Sequence, residues 1–411
     1  MSDHLTLPHR LWRLLPSNQR RRLLGWAASI AAPGIADAPP NVRDGIILAG
    51  EFSRASGLGE SARLFFTALE KLGVPVWPLD IGPLLPAHSS DVPPPAGRES
   101  APPPDAALVL HVNPPLLPLV LTRLPRGLVK GRRIVGIWAW ELPVPPPGWQ
   151  SGARFVHDVW AISGFTAEAL APLVPGRIRT VTLPLAAAPL VPSRLGRADF
   201  GLPDDTVTVL TSFNLASSFE RKNPLAAIAA FRSAFGDRGD RLLVMKVSYP
   251  DHYPDDYARI AAAIGGAPNI RLETRNFSRE DTLALTEAAD IVLSPHRSEG
   301  FGLVPAEAML LAKPVIATGW SGNMDFMDET SAALVRYTLI PARDPRGTYD
   351  IPDALWADPD IAHAAEWLRR LADDKSLRQT MGAAGQSMAR SRLGTDGLAA
   401  AVRALGGGLL V

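Results

Sequence analysis

The 411-residue chain contains no cysteine. Disulfides, thiolate catalysis and Cys-ligated metals are therefore excluded. A charge surplus is missing too: 42 Lys and Arg stand against 41 Asp and Glu, a formal net charge of +1. Nucleic-acid binders usually carry a basic excess, so no nucleic-acid partner is expected. No apolar run reaches transmembrane length. Leu108 to Leu121 comes nearest, and His111, Asn113 and several prolines interrupt it. What is abundant is proline, 40 residues in all, concentrated at 83–104, 143–147 and 184–203. The length is enough for two domains.

Apolar and amphipathic segments alternate along most of the chain. Short apolar strands are predicted at 45–49, 74–79, 106–112, 134–138 and 159–163. Helices are predicted at 59–72 and 165–173, the first with Ala62, Phe65, Phe66, Leu69 and Leu72 on one face. After a Pro-rich linker at 184–203 the pattern resumes. Strands are predicted at 207–214, 241–247 and 270–274, with helices at 224–235, 257–264 and 281–288 between and after them. Two closing helices follow at 361–373 and 377–390. Such alternation predicts parallel, doubly wound sheets in two βαβ domains with a cleft between them. The division expected is an N-terminal extension at 1–43, a first domain at 44–190, a second at 191–390, and a helical tail at 391–411.

The most informative stretch is Ala288 to Asp328. It reads as strand (290–295), Gly-containing loop, helix (305–311) and strand (315–317). Pro305 suits the first turn of that helix. Ligands of such units sit at the carboxyl end of the strand and the amino end of the helix. Glu299 lies in the loop and Glu307 in the first helical turn, so both are expected to face one ligand while the loop amides face an anion. Carboxylates repel phosphate but accept well from paired sugar hydroxyls. Amides for phosphate and two carboxylates for sugars suit a nucleotide sugar. The alternative is two solvated glutamates favoured by the helix dipole.

The segment HRSEGFGLVPAEAM followed by KPVIATGWSGN resembles the donor-binding signature of retaining GT-B glycosyltransferases of family 4. Two other segments match in order. Ser56 to Arg63 (SGLGESAR) resembles the Gly-rich loop after the first strand of the amino-terminal domain. Glu220 to Pro224 (ERKNP) resembles the basic element that opens the carboxy-terminal domain. The resemblance spans roughly residues 45–400 and implies a GT-B fold, two Rossmann-like domains facing a central cleft. It implies that Glu299 contacts the donor hexose and Glu307 the ribose. Arg221 and Lys222 would neutralise the diphosphate leaving group, and Gly57 and Gly59 would let the backbone approach it. Gly300, Phe301, Gly302, Leu303 and Asn323 would complete the donor pocket, and His296, which closes a strand at the ligand edge, either supports it or is a satisfied structural His. Ser321 and Gly322 would line it, and Arg275 and Asn276 would approach the base. One departure concerns the acceptor side. Many family members carry a His after a middle strand of the first domain; here Trp138-Ala-Trp140-Glu141 stands there, and Glu141 is the nearest polar candidate. It either orients or deprotonates the acceptor hydroxyl, or caps a turn.

The resemblance implies no metal or other cofactor, only the nucleotide diphosphate sugar as substrate. Asp358-Pro359-Asp360 has metal-ligand spacing but reads as a helix start. The subgroup it suggests uses GDP-mannose, with UDP sugars next, and builds bacterial surface polysaccharide on a glycan or lipid-linked acceptor. A sugar-nucleotide epimerase of the same fold and a noncatalytic scaffold are the alternatives. Residues 9–31 carry Arg10, Arg13, Arg20, Arg21 and Arg22 with no acid, interleaved with leucines and tryptophans. That composition suits peripheral attachment to an anionic membrane, or a helical extension packed on the body. A cytoplasmic protein is expected, peripheral on the inner face of the plasma membrane if the segment binds lipid.

Overall fold

The computed structural model describes residues 25, 27–85, 91–406 and 408–410. The first domain opens with β1 (Ile46–Gly50), whose five residues are all buried. That is the continuous apolar run of a strand covered on both faces. Helix α1 (Gly57–Lys71) follows and starts on Ser56, whose Oγ accepts from the Gly59 amide. Of its predicted apolar face, Ala62, Phe65, Phe66 and Leu69 are buried, and Leu72, just past the helix end, is half-buried. Then come β2 (Val76–Asp80), β3 (Ala107–Leu110), α2 (Leu117–Arg123), β4 (Ile134–Trp138), α3 (Gln150–Ala153), β5 (Asp158–Ala161), α4 (Gly164–Leu170) and β6 (Ile178–Thr180). These form a six-stranded sheet of order β2-β1-β3-β4-β5-β6, parallel throughout.

The second domain repeats the plan. It runs β7 (Val207–Asn214), α5 (Phe219–Lys222), α6 (Pro224–Phe235), β8 (Arg241–Ser248), α7 (Pro254–Ile264), β9 (Ile270–Glu273), α8 (Arg279–Ala288), β10 (Ile291–Ser294), α9 (Leu303–Leu310), β11 (Val315–Thr318) and β12 (Ala333–Val335). The sheet order is β12-β11-β10-β7-β8-β9, again parallel. An antiparallel hairpin of β13 (Tyr337–Pro341) and β14 (Leu355–Pro359) forms a separate small sheet. Helices α10 (Ile361–Asp373), α11 (Lys375–Arg392) and α12 (Asp396–Arg403) close the chain.

Several elements depart from the sequence reading. Strands β6 and β12 have only three residues each, too few for a period to register, and Arg179 and Thr180 of β6 are exposed. Helix α2 was hidden by Pro118, which stands in its first turn, where a missing amide costs nothing. Helix α9 begins at Leu303, two residues earlier than predicted, behind Gly302 at φ 100°. Glu307 is thus two residues further along the helix than expected, in its second turn and not its first. The 184–203 stretch is packed rather than loose: Leu185, Ala187, Phe200 and Leu202 are buried, and Lys71 donates to the Ala187 carbonyl at 2.5 Å. The tail also returns to the first domain. Arg133 donates to the Leu405 carbonyl at 3.3 Å, and a Cβ on Gly406 would meet the Val42 carbonyl at 1.9 Å.

Most of the basic N-terminal segment lies outside the described residues. Its end, 27–31, is helical, and Arg154 of the first domain donates to the Ser29 carbonyl at 2.6 Å. No helix among the described residues is long and apolar enough to cross a membrane.

Candidate active site

The carboxyl ends of both sheets meet at one place. The loop after β10 (295–302) touches the loop after β4: Ser298 donates its hydroxyl to the Glu141 carbonyl. Thr166, in α4, donates to the Trp140 carbonyl at 2.9 Å, and the Gly164 amide donates to Asp325 at 2.7 Å. At Gly57, a Cβ would lie 3.8 Å from Leu303 of the other domain. Loops of both domains therefore meet at the segment that carries Glu299, at the edge where doubly wound sheets take ligands.

Glu299 is the hub. Its Oε2 lies 3.0 Å from Arg221 Nη1 and its Oε1 2.5 Å from Lys222 Nζ. Consecutive residues reach one carboxylate because α5 is a single turn bounded by two unusual backbones, Ser218 at φ 73° and Asn223 at φ 53°. Asn223 donates to the Pro295 carbonyl at 3.1 Å, and the Arg297 amide donates to the Arg221 carbonyl at 2.8 Å. These bonds stitch α5 to the 295–302 loop. Behind them, Arg259 pairs with both Glu220 and Asp256 at 2.9 and 3.2 Å.

The two cations differ in kind. Arg221 has 4% of its side chain exposed and spends donors on the carbonyls of Ser298 (2.8 Å) and Ser217 (3.0 Å). Lys222 retains 19% exposure and is the cation placed to meet a ligand. Burial alone would raise the Glu299 carboxyl, but Lys222 and Arg221 overcome it and hold it down at about 2. The Lys222 ammonium is nevertheless lowered, first by burial. The directions are compatible: burial opposes both charges, and Glu299 has two cations to offset it while Lys222 shares one carboxylate with Arg221.

The loop backbone leaves no slack. The Glu299 amide donates to Ser321 Oγ at 2.9 Å, and the Gly322 amide donates to the Glu299 carbonyl at 2.9 Å. A Cβ on Gly322 would fall 2.2 Å from the Gly300 carbonyl oxygen.

Glu307 does not join this cluster. Its Oε1 lies 2.9 Å from Arg279 Nη1, and the same nitrogen lies 2.7 Å from Glu60 Oε1 of the first domain. Burial raises the Glu307 carboxyl, Arg279 opposes this and Glu60 adds to it. The two glutamates expected to face one ligand thus hold separate cations. Gly59 also differs from expectation. Its amide is taken by Ser56, and a Cβ there would lie 2.2 Å from the Arg54 carbonyl, so it serves the turn into α1. Gly57 is the exposed one.

His296 and Asn323 are 1% and 0% exposed. His296 Nε2 lies 3.1 Å from Asn323 Oδ1 and Nδ1 lies 3.0 Å from the Ser294 carbonyl. Burial lowers the imidazole, so it is neutral. The pair braces the loop from behind instead of lining the cleft. Phe301 is likewise buried, its ring 5.0 Å from that of Phe326. Arg275 is exposed and paired with Glu273 at 2.6 Å. Asp360 caps α10 by accepting from the His363 amide, while Asp358 pairs with Arg297 at 3.4 Å. Glu141 stands 3.9 Å from Arg221, facing the cluster from the first domain. Sequence reasoning missed Arg279, Glu60 and Tyr349. Glu60 carried one signal, its place in the Gly-rich SGLGESAR run; the others carried none.

Comparison with known proteins agrees with this architecture. Residues 188–392 match the family described as "Family 4 Glycosyltransferase in conflict systems". A D-inositol 3-phosphate glycosyltransferase of Nocardioides sp. is 28% identical over 204 residues, covering 47% of this chain and 40% of that protein. An alpha-1,3/1,6-mannosyltransferase of Homo sapiens is 25% identical over 122 residues, covering 30% and 24%. The chain thus spans less than half the length of these relatives. Among solved structures, a glycosyltransferase from Rickettsia africae superposes with a TM-score of 0.58 at 12% identity, over 87% of this chain and 96% of that one. HepE of Anabaena, solved with UDP and glucose, gives 0.57 at 15% identity, over 87% and 98%. The architecture is the two-domain GT-B fold. By the match across its second domain, this chain belongs to glycosyltransferase family 4.

Proposed function

We propose that the protein is a retaining glycosyltransferase that moves a hexose from a nucleotide diphosphate sugar to a glycan or lipid-linked acceptor. The observation that carries this reading is the Lys222–Glu299–Arg221 cluster at the carboxyl edge of the second sheet. When the anomeric bond breaks, negative charge develops on the leaving phosphate. A fixed cation at that point lowers the barrier more than it aids ground-state binding. Lys222 fills this role, and Arg221 holds Glu299 and the 295–302 loop in register for it. Glu299 accepts from a donor hydroxyl, Glu307 from the ribose, and Gly57 lets the diphosphate approach the backbone. Glu141 orients or deprotonates the acceptor hydroxyl from the opposite domain.

Mannose carried on GDP is the donor we assign, with UDP sugars the competing class. The human mannosyltransferase and the UDP- and glucose-bound Anabaena protein support a hexose donor without choosing between these. The reading needs no metal. The setting we assign is bacterial surface polysaccharide synthesis on the cytoplasmic side, with residues 9–31 drawing the protein to anionic lipid.

A thermal-shift screen against GDP, UDP, ADP and dTDP tests the donor site. A ligand at about 100 times its Kd adds roughly 2.7 kcal/mol. A shift with one nucleotide, reduced in Lys222→Ala, is the expected result. No shift with any nucleotide overturns the donor site. Conversion of the donor into a second nucleotide sugar without acceptor would make the protein an epimerase instead.

A further inference from the structure

The loop joining β13 to β14, residues 342–354, turns back into the cleft and buries Tyr349 to 7% exposure. Three groups meet this side chain. The Trp140 ring, from the first domain, stacks on it at 5.5 Å with 27° between planes. The Arg221 guanidinium lies over it, 5.5 Å from the ring centroid. Glu141, the residue after Trp140, stands 3.9 Å from the same Arg221, so its carboxylate shares this corner with the Tyr349 ring. Burial and the Glu141 charge push the phenol well above its ordinary range, so it stays protonated.

The loop that delivers Tyr349 is held to the second domain. Asp344, 4% exposed, accepts from the amides of Thr348 at 3.0 Å and Tyr349 at 3.2 Å. The Ser218 hydroxyl, at the start of α5, lies 3.4 Å from the same carboxylate. Arg346 donates to the Leu215 carbonyl at 2.5 Å, and the Ala357 amide donates to the Arg297 carbonyl at 2.9 Å. Both anchor points flank the segments that carry Arg221 and Glu299. The loop is therefore built on the donor side and, through Tyr349, sets an aromatic ring and a hydroxyl against two consecutive residues of the acceptor side. Separating the two domains would take Trp140 and Glu141 away together and remove a carboxylate from beside Arg221.

We infer that Tyr349 is a positioning residue that fixes Glu141 of the first domain against Arg221 of the second, coupling closure of the cleft to assembly of the site. Its chemical consequence rests on the function proposed above; its structural consequence does not.

The test uses the full chain, which has no native cysteine to label. Lys130→Cys and Asp237→Cys place nitroxides at exposed positions on the two domains. Their distance distribution is read by double electron–electron resonance, with far-UV circular dichroism checking the fold. Tyr349→Ala is expected to broaden the distribution toward longer distances, and Asp344→Asn, which frees the loop but keeps the ring, is expected to do so partly. Tyr349→Phe keeps the stack and is expected to keep the distance. On the nucleotide sugar that the protein turns over, Tyr349→Phe, which removes the only polar group of the ring that packs beside Glu141, is expected to lower kcat about tenfold at unchanged donor KM. Unchanged distances in folded Tyr349→Ala and Asp344→Asn overturn the inference. Should Tyr349→Ala not fold, unchanged distance in Asp344→Asn with unchanged kcat in Tyr349→Phe overturns it. If no nucleotide sugar is turned over, the functional reading fails and the distances alone decide on Tyr349.

Discussion

Glu299 and Lys222 stand 2.5 Å apart, and Arg221 holds the other carboxylate oxygen at 3.0 Å. Removing either partner has different consequences because their exposure differs. Glu299→Gln leaves the buried Arg221 without its closest counter-charge. Breaking a buried pair in this way costs on the order of 3–5 kcal/mol. Lys222→Ala leaves Glu299 still paired with Arg221 and is expected to cost far less stability. Its effect falls on rate, on the order of 100-fold in kcat. Calorimetric melting of both variants, beside initial rates, checks the split; equal melting points would contradict it.

Acid should expose the same pair. Glu299 titrates at about 2, below its ordinary 4.5, so the folded state binds fewer protons than the unfolded one in between. Its stabilising contribution is complete above about pH 4.5 and is lost as pH falls toward 2. Glu307 is raised by burial and acts with opposite sign, losing stability as pH rises from its ordinary value. Urea unfolding from pH 2.5 to 7 should show the gap between wild type and Glu299→Gln narrowing on acidification. A gap that stays constant over that range would mean that Glu299 carries no depressed titration.

Gly322 tests the loop directly. Its missing Cβ would sit 2.2 Å from the Gly300 carbonyl and 2.8 Å from the Phe301 amide nitrogen. Gly322→Ala must move backbone on one side or the other, at a cost of about 1–3 kcal/mol or more, and should reduce nucleotide binding with it. Gly127, with nothing within 4 Å of its would-be Cβ, is the control. Gly127→Ala should stay within about 1 kcal/mol of wild type.

Glu307→Gln separates ribose contact from phosphate chemistry. If the carboxylate accepts a donor hydroxyl in ground and transition states alike, donor KM rises about tenfold while kcat holds. A fall in kcat at constant KM would instead assign Glu307 to the transition state. Arg279→Ala removes the cation shared by Glu307 and Glu60 and should raise the Glu307 carboxyl further, readable as a pH-dependent KM.

The sequence by itself determined the alternating plan, the two parallel sheets, and the strand–loop–helix unit that carries Glu299. These follow from local periodicity and turn chemistry, which are written within a dozen residues. It also marked Arg221 and Lys222, but only through the resemblance of the ERKNP segment to a known basic element, since two basic residues before a Pro-started helix read locally as a solvated loop. Tertiary structure alone decided that Arg221 is buried scaffolding while Lys222 meets solvent, since burial depends on which loops close over α5. It decided that Gly59 serves the turn and Gly57 the cleft, because only the folded loop puts the Arg54 carbonyl against one of them. And it brought Tyr349, Glu141 and Arg221 together from positions far apart in the chain. No period or spacing records that meeting, which exists only because two separately folded domains close on one another.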